Sequence, residues 1–254
     1  MKLLVPGARA AGAATACLGL ALLAAACGIL SGSTSSAPSA TTSPAATQAP
    51  ANGIADKPPA QIVAAATKAL ASARSVQMRG TVRQSGTRYT FDLVLERASA
   101  KGSMTAPMLG IKNAQFDFVV AGGKLFIRSS TLWQKAGGTA AAQLLNNRWV
   151  VLPKASFHNF PFRSVRVYAR SINSGSPGKA RRAGAVTMIN GRPAIPVRSG
   201  DSIVYVATTG PPFPLRAMPA TRAAGQGVAD FIAYNAPVKI GPPPNSVDLN
   251  QLRG

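Results

Sequence analysis

Side chains able to perform acid, base or metal chemistry are sparse in this chain and widely separated. The 254 residues include seven acidic residues and one histidine. Asp92 and Glu96 fall on the polar side of an alternating stretch, so a strand would hold them about 13 Å apart. General acid–base catalysis needs two carboxylates that converge on one substrate, and His158 stands alone among aromatic residues. The sequence therefore predicts no catalytic residues, no metal site, no cofactor and no enzyme activity.

Cys27 is the residue whose surroundings most clearly indicate chemistry, and that chemistry is a covalent modification. Residues 1–9 carry Lys2 and Arg9 without an acid, residues 10–26 are small and apolar, and Cys27 follows directly. This order predicts a secretory signal peptide over residues 1–26. It also resembles the lipobox of bacterial lipoproteins, in which the cysteine thiol takes a diacylglyceryl group and becomes the first residue of the mature protein. An uncleaved anchor helix and simple secretion remain as alternatives.

Cysteine content and charge indicate the compartment and the partners. The other cysteine, Cys17, lies inside the predicted signal peptide, so the mature chain has no possible internal disulfide. The net charge of +21 favours anionic partners, namely phospholipid headgroups or an anionic wall polymer, and export argues against nucleic acid. We therefore expect a monomer at the cell membrane, lipid-anchored through Cys27 on the extracytoplasmic side.

Three segments are predicted along the chain. The signal peptide of residues 1–26 is followed by a lipidated N-terminus and tether over residues 27–56, which is rich in Ser, Thr, Ala and Pro. Large apolar side chains are too few in this tether to offset the entropy of ordering it, so we expect disorder and a reach of about 30 Å. Residues 57–254 are predicted to form one folded domain.

Hydrophobic periodicity predicts the elements of this domain. Apolar residues spaced by three and four predict a helix over residues 59–73. Apolar and polar residues then alternate with period two, which predicts antiparallel strands with one apolar side. Further helices are predicted over residues 139–146 and, from a pattern that also fits a strand, over 163–172. Strands are predicted near residues 76–82, 89–95, 102–105, 116–120, 125–128, 149–151, 184–190, 193–199, 202–208, 215–218 and 228–234. Many strands in series with few helices predict a predominantly antiparallel α+β domain.

The apolar side of the first strands contains the candidate ligand-contacting residues. Such residues form a packed core in a closed structure, and they line a cavity only where a sheet curves away from the helices that cover it. The candidates are Val76, Met78, Tyr89, Phe91, Leu93, Leu95, Met104, Phe116, Phe118 and Val120.

The order and spacing of several motifs resemble the LolA-like envelope lipoproteins of actinobacteria, of the LppX and LprG type. These motifs include residues 75–80 after an Ala/Leu-rich helix, 123–127, 148–153, 189–194 and 212–216. The resemblance implies a strongly curved antiparallel half-barrel sheet with helices on its concave face. It also implies a hydrophobic cavity between them for the acyl chains of envelope lipids. The sequence departs from the family at residues 157–162, where aromatic residues replace the expected leucine-rich helix.

The expected function is that of a membrane-anchored lipoprotein that binds acylated lipids or glycolipids in a hydrophobic cavity and could transfer them within the cell envelope. The alternative is a non-catalytic basic lipoprotein that docks on an anionic cell-wall polymer or a partner protein and holds no lipid cargo.

Overall fold

The computed structural model of the protein describes residues 49–249, except residues 85, 109 and 173–178. The predicted signal peptide, Cys27 and most of the predicted tether lie outside these residues. A 3₁₀ turn over Ile54–Asp56 precedes the helices α1 (Pro59–Ser72), α2 (Leu132–Leu145), α3 (Lys154–Asn159) and α4 (Val165–Ile172). The strands are β1 (Ser75–Gln84), β2 (Thr87–Glu96), β3 (Ala100–Met108), β4 (Ile111–Ala121), β5 (Lys124–Arg128), β6 (Val150–Val151), β7 (Arg181–Arg182), β8 (Thr187–Ile189), β9 (Arg192–Ser199), β10 (Ser202–Ala207), β11 (Pro214–Pro219), β12 (Gln226–Tyr234) and β13 (Val247–Asp248).

All of these strands join one curved, unclosed sheet. Its order is β13-β6-β5-β4-β3-β2-β1-β12-β11-β10-β9-β7, and β8 pairs with β9 beside this path. The pairs are antiparallel except the short contact of β6 with β13, which is parallel. The first strand pairs with the last long strand, so β1 and β12 join the two halves of the sheet. The predicted fold class, a curved antiparallel α+β sheet, is confirmed.

Helix α1 begins where the sequence predicts it. Two prolines, at positions 58 and 59, open its first turn, where their fixed backbone angle and missing N–H are tolerated. The helix buries Ile62, Ala66 and Leu70, which are spaced by four residues and so lie on one side. This apolar stripe packs against β9, β10 and β11 and against α4.

The folded region starts earlier than predicted. Asn52 lies in the segment assigned to the tether, but its side-chain amide donates to the carbonyl oxygens of Ala207 and Gly210 at 3.0 and 2.7 Å. Ile54 is buried against the second half of the sheet. The end of the predicted tether is therefore part of the domain, since these few residues bond to a loop that is remote in sequence.

Two other predicted elements differ in extent. Helix α2 starts at Leu132 rather than at residue 139, and it is interrupted by non-helical backbone at Gly137 and Gly138. The strand predicted over residues 184–190 is limited to Thr187–Ile189.

Side chains of the sheet alternate between two surfaces. We call the surface covered by the helices the helix face and the opposite surface of β1–β5 and β12 the polar face. Close approach of backbones on the helix face depends on Gly80, because a Cβ there would lie 2.4 Å from the carbonyl oxygen of Val228 and 2.8 Å from Cζ of Phe91. Residue 80 must lack a side chain for β1, β12 and the Phe91 ring to pack as they do.

Candidate functional site

The ten candidate residues lie on the helix face, in rows that run across the strands. Val76 is opposite Leu95, and Met78 is opposite Leu93. Nine of the ten are buried, and Tyr89 is partly buried at the end of the same cluster. The structure therefore brings all ten residues together, in one apolar layer between β1–β4 and the helices.

A chain of aromatic rings occupies the space between this layer and the helices. Phe160 and Phe162 come from the segment between α3 and α4, and Tyr168 comes from α4. Phe160 contacts Phe118 edge-on with 4.9 Å between centroids, and Phe162 lies 5.5 Å from Tyr168. Contacts of this geometry contribute about 0.5–1.5 kcal/mol each beyond the area they bury. We call the continuous chain the aromatic row, which consists of Phe118, Phe160, Phe162, Tyr168, Phe231, Tyr234 and Phe213.

Two tyrosines of the aromatic row lie in strongly apolar surroundings. Burial raises the pKa of Tyr168 well above its ordinary value. Burial also raises the pKa of Tyr234, the charge of Tyr168 adds to this, and Arg192 opposes it. The Tyr234 hydroxyl donates to the carbonyl oxygen of Pro214 at 2.6 Å. Both phenols are therefore neutral at physiological pH and act as apolar packing with a polar end.

Helix α2 closes the other side of the helix face. The Ser129 hydroxyl ties its start to the sheet, because it donates to the carbonyl oxygen of Gln115 at 2.6 Å and accepts from the N–H of Leu132. Trp133 follows and is 3% exposed, within the same apolar cluster. Its indole Nε1 has no hydrogen-bond partner among the described residues. A buried donor without an acceptor costs about 1–3 kcal/mol, so a buried, unpaired N–H at this position calls for an explanation.

The residues considered for catalysis are dispersed. His158 is exposed on α3 beside the Phe157 ring. Asp92 and Glu96 lie on the polar face as predicted, where Asp92 pairs with Arg79 and Glu96 accepts from the Ser99 hydroxyl. The part of the chain that the structure describes contains no group of three or more His, Cys, Asp or Glu residues placed to hold a metal ion. Within the same residues, no helix has the length and apolar character to cross a membrane.

The polar face has its own order, a single row of polar side chains, six of them charged, across seven strands. Its members alternate in sign over most of its length and form three ion pairs, Arg216–Asp230, Arg79–Asp92 and Arg128–Asp117. Backbone register places them in one line through the pairs Arg216–Asp230–Arg79–Asp92–Ser103–Asp117–Arg128. The three positive and three negative charges of this row cancel.

Of the aromatic row, sequence reasoning named only Phe118 as a candidate residue, and it noted Phe160 and Phe162 only as part of an aromatic segment. It missed Tyr168, Phe213, Phe231 and Tyr234. Phe231 and Tyr234 of β12 are three positions apart, so period two would place them on opposite faces. A register shift between Gln77 and Met78 in the pairing with β1 brings both to the helix face. Nothing local indicates that β12 pairs with β1, about 150 residues earlier, and that pairing is what brings their rings beside Tyr168.

Comparison with known proteins is informative at the level of the fold. No family model matches the chain, and no curated protein matches it. Among solved structures, LprF from Mycobacterium bovis superposes with a TM-score of 0.52 and 14% identity, over 72% of this chain and 96% of that protein. The lipoprotein LppX from Mycobacterium tuberculosis gives a TM-score of 0.43 and 16% identity, over 71% and 97%. A LolA superfamily protein from Nitrosomonas europaea gives 0.27 and 8%, over 72% and 96%. The likeness to LprF confirms the fold that the sequence resemblance implies.

Proposed function

We propose that this chain, with a fold shared with LprF, is a non-catalytic envelope lipoprotein that binds acylated lipids between the helix face and the helices. The observation that carries the proposal is the buried Trp133 indole N–H, which lacks an acceptor inside an otherwise apolar layer. An ester or amide carbonyl of an acyl lipid would supply that acceptor. The surrounding side chains would hold the hydrocarbon.

The energetics favour such a site. Exposing an acyl chain to water costs about 0.8 kcal/mol per CH₂, or roughly 12 kcal/mol for sixteen carbons, so a carrier must provide an apolar surface of similar extent. The helix face does so along four strands. Because the aromatic row fills the space in this structure, an acyl chain would have to displace rings such as Phe160 and Phe162. They lie on the short segment between α3 and α4, whose rearrangement leaves the sheet itself intact.

The break in helix α2 at Gly137 and Gly138 supports the same proposal. Gly138 has a φ of 71°, so the helix is broken four to five residues after Trp133. Beyond the break, Leu144 is 49% exposed while Leu145 is buried. A helix already divided at two glycines can shift its second half at low cost, and this would admit a ligand beside Trp133.

Anchoring is proposed on the sequence alone. Cleavage before Cys27 and acylation of its thiol would hold the domain at the extracytoplasmic surface of the cell membrane, with the residues before Asn52 as a tether. Replacing Cys27 with Ser tests this, because the variant should leave the detergent phase and lose the acyl mass. Unchanged partitioning and mass would show that the protein is not lipid-anchored through this thiol.

The two tryptophans allow a direct test of lipid binding. Trp133 lies in the layer beneath the helices, whereas Trp149 packs near Phe126 on the opposite surface, with the Arg128 guanidinium 4.7 Å from its ring centroid. Trp149→Phe therefore leaves Trp133 as the single emitter, and Trp133→Phe leaves Trp149. We expect a brominated long-chain fatty acyl ester to quench the emission of Trp133 and to leave that of Trp149 unchanged.

The unbrominated ester is the matched probe, since it should bind without quenching. Equal quenching of both tryptophans, or quenching of Trp149 alone, would place the lipid elsewhere. Absence of quenching, together with no lipid in extracts of the protein purified from its envelope, would contradict the proposal. That result would favour the alternative, docking without lipid cargo.

A further inference from the structure

A trough on the polar face lies apart from the helix face and has not been assigned any role. It has a volume of about 820 Å³ where it crosses the row of ion pairs. A second part of about 500 Å³ continues toward the turn between β1 and β2, and Thr90, Thr105 and Gln115 line both parts. Sites for small molecules have volumes of this order.

One part of the floor of the trough is uncharged and rich in hydrogen-bonding groups, although the ion-paired row crosses another part. Next to the row of ion pairs, a second row crosses the strands through Thr81, Thr90, Thr105 and Gln115. It spans about 14 Å, because neighbouring strands are about 4.8 Å apart. Threonine hydroxyls and the glutamine amide both donate and accept hydrogen bonds, so this row matches the hydroxyl groups of a sugar chain.

Two arginines at the end of the trough give it a charge preference. Arg83 and Arg88 are directly opposite each other on β1 and β2, and both are exposed. Neither guanidinium has a carboxylate or hydrogen-bond partner among the residues that the structure describes. Like charges directly across a strand pair are destabilising. An anionic group held between the two arginines would remove that repulsion and form charge-assisted hydrogen bonds.

We propose that this trough binds an anionic polysaccharide, with acidic groups of the polymer on Arg83 and Arg88 and sugar hydroxyls on the row from Thr81 to Gln115. The ion-paired row beside it is neutral overall, whereas Arg83 and Arg88 have no carboxylate partner among the described residues. The site lies on the opposite side of the sheet from the helix face, and the proposal does not depend on lipid binding.

The lining of the trough at its arginine end favours a polysaccharide over a membrane surface, although Val228 and Ile232 line the larger part near the row of ion pairs. Docking on a bilayer buries apolar side chains among the lipid chains. The part of the trough beside the two arginines is lined by Arg83, Gly86, Arg88, Thr90, Thr105, Asn113 and Gln115. None of these has an apolar side chain that could insert into lipid, whereas their amides and hydroxyls suit a hydrated polymer.

The test measures binding of the folded chain to soluble polygalacturonate, with uncharged dextran as the neutral polymer. We expect the wild type to bind polygalacturonate and not dextran, and R83Q/R88Q to bind at least about tenfold more weakly. The double variant R74Q/R97Q is the matched control. It removes the same charge from exposed arginines at the other end of the β1–β2 hairpin, and it should retain the wild-type affinity.

A hydroxyl variant separates sugar recognition from charge alone. T105V keeps the shape of the side chain and should weaken polygalacturonate binding severalfold while leaving thermal stability unchanged. R83Q/R88Q should have a thermal midpoint equal to or above that of the wild type, because it relieves repulsion, so loss of binding would not reflect unfolding. Equal weakening by R74Q/R97Q would overturn the proposal, as would binding to anionic phospholipid vesicles without binding to polygalacturonate.

Discussion

The two faces of β1–β4 are built from adjacent residues and serve opposite physical purposes. Phe118 on the helix face is 1% exposed and contacts the ring of Phe160, whereas Asp117, one residue earlier, pairs with Arg128 in contact with solvent. Removal of apolar area from water on the first face is what stabilises the fold. Exposed ion pairs on the second face contribute little. The polar face is therefore free to take on recognition, while any ligand of the helix face must compete with the packing that holds the domain together.

The contrast between the helix face and the polar face is tested most strongly by two neighbouring residues of β4. Phe118→Ala should lower the free energy of unfolding by about 3–5 kcal/mol, because it leaves a cavity below the aromatic row. Asp117→Asn keeps the side-chain size and should change it by less than about 1 kcal/mol. Denaturant unfolding of both variants, read with unchanged m-values, measures the difference.

A small decrease in the free energy of unfolding of Phe118→Ala would contradict the description of the helix face as a packed layer. It would instead indicate that the aromatic row repacks easily, and the same plasticity would lower the cost of admitting an acyl chain. A large decrease in the free energy of unfolding of Asp117→Asn would show that the row of ion pairs stabilises the fold.

The second prediction concerns pH and the two partly buried tyrosines of the aromatic row, Tyr168 and Tyr234. In the unfolded chain a tyrosine loses its proton near pH 10, whereas Tyr168 and Tyr234 have raised pKa values in the folded state. Above about pH 10 the unfolded state therefore binds fewer protons than the folded state, and stability falls as pH rises. Each phenol contributes a slope of up to about 1.4 kcal/mol per pH unit, and below pH 10 its contribution is intact.

The variant Y168F/Y234F should flatten this alkaline decline. At neutral pH it should cost about 1 kcal/mol, chiefly because the hydrogen bond from Tyr234 to the carbonyl oxygen of Pro214 is lost. Tyr205→Phe is the control, since Tyr205 lies outside the aromatic row and contacts Met218. Equal slopes in the wild type and in Y168F/Y234F would show that the two hydroxyls reach water.

The elements that the sequence predicted best have a strong local pattern. Strands β1, β2 and β4 alternate apolar and polar residues over most of their length, with exceptions at Val94 and at residues 119 and 121. Helix α1 repeats its apolar residues every three or four positions, so in each case the period identifies the element. The ten candidate residues share one face for the same reason. Period two places them on one side of the sheet whatever the strands later pair with.

What the sequence could not predict depends on contacts between remote residues. Composition assigned Asn52 to a tether because its neighbours are small, and its bonds to the backbone near Gly210 have no local pattern. Gly137 and Gly138 obscured the first turns of α2 by breaking the helical period. The row of ion pairs requires the register of six strand pairings, and the arginine of each pair is unremarkable on its own strand.

The smallest effects are expected within the row of ion pairs, and they should follow burial. Arg216 and Asp230 have side chains 31% and 26% exposed, against 63% and 41% for Arg79 and Asp92. The hydrogen bond to Asp230 is the main cause that raises the pKa of Arg216. Double-mutant cycles should therefore give a coupling of about 0.5–1 kcal/mol for Arg216–Asp230 and under about 0.3 kcal/mol for Arg79–Asp92.

The register of the row gives a second reason why the coupling between Arg79 and Asp92 should be the weaker one. Arg79 is also directly opposite Asp230, so removal of Asp92 leaves its guanidinium a second carboxylate within reach. Asp92→Asn should consequently lower the free energy of unfolding least among the single substitutions in the row. Its effect should grow when Asp230 is also replaced. Salt should reduce the Arg79–Asp92 coupling more than the Arg216–Asp230 coupling, because the more exposed pair is the more screened. Equal couplings with equal salt dependence would mean that the row acts as independent surface charges, and the order imposed by the register would then have no energetic consequence.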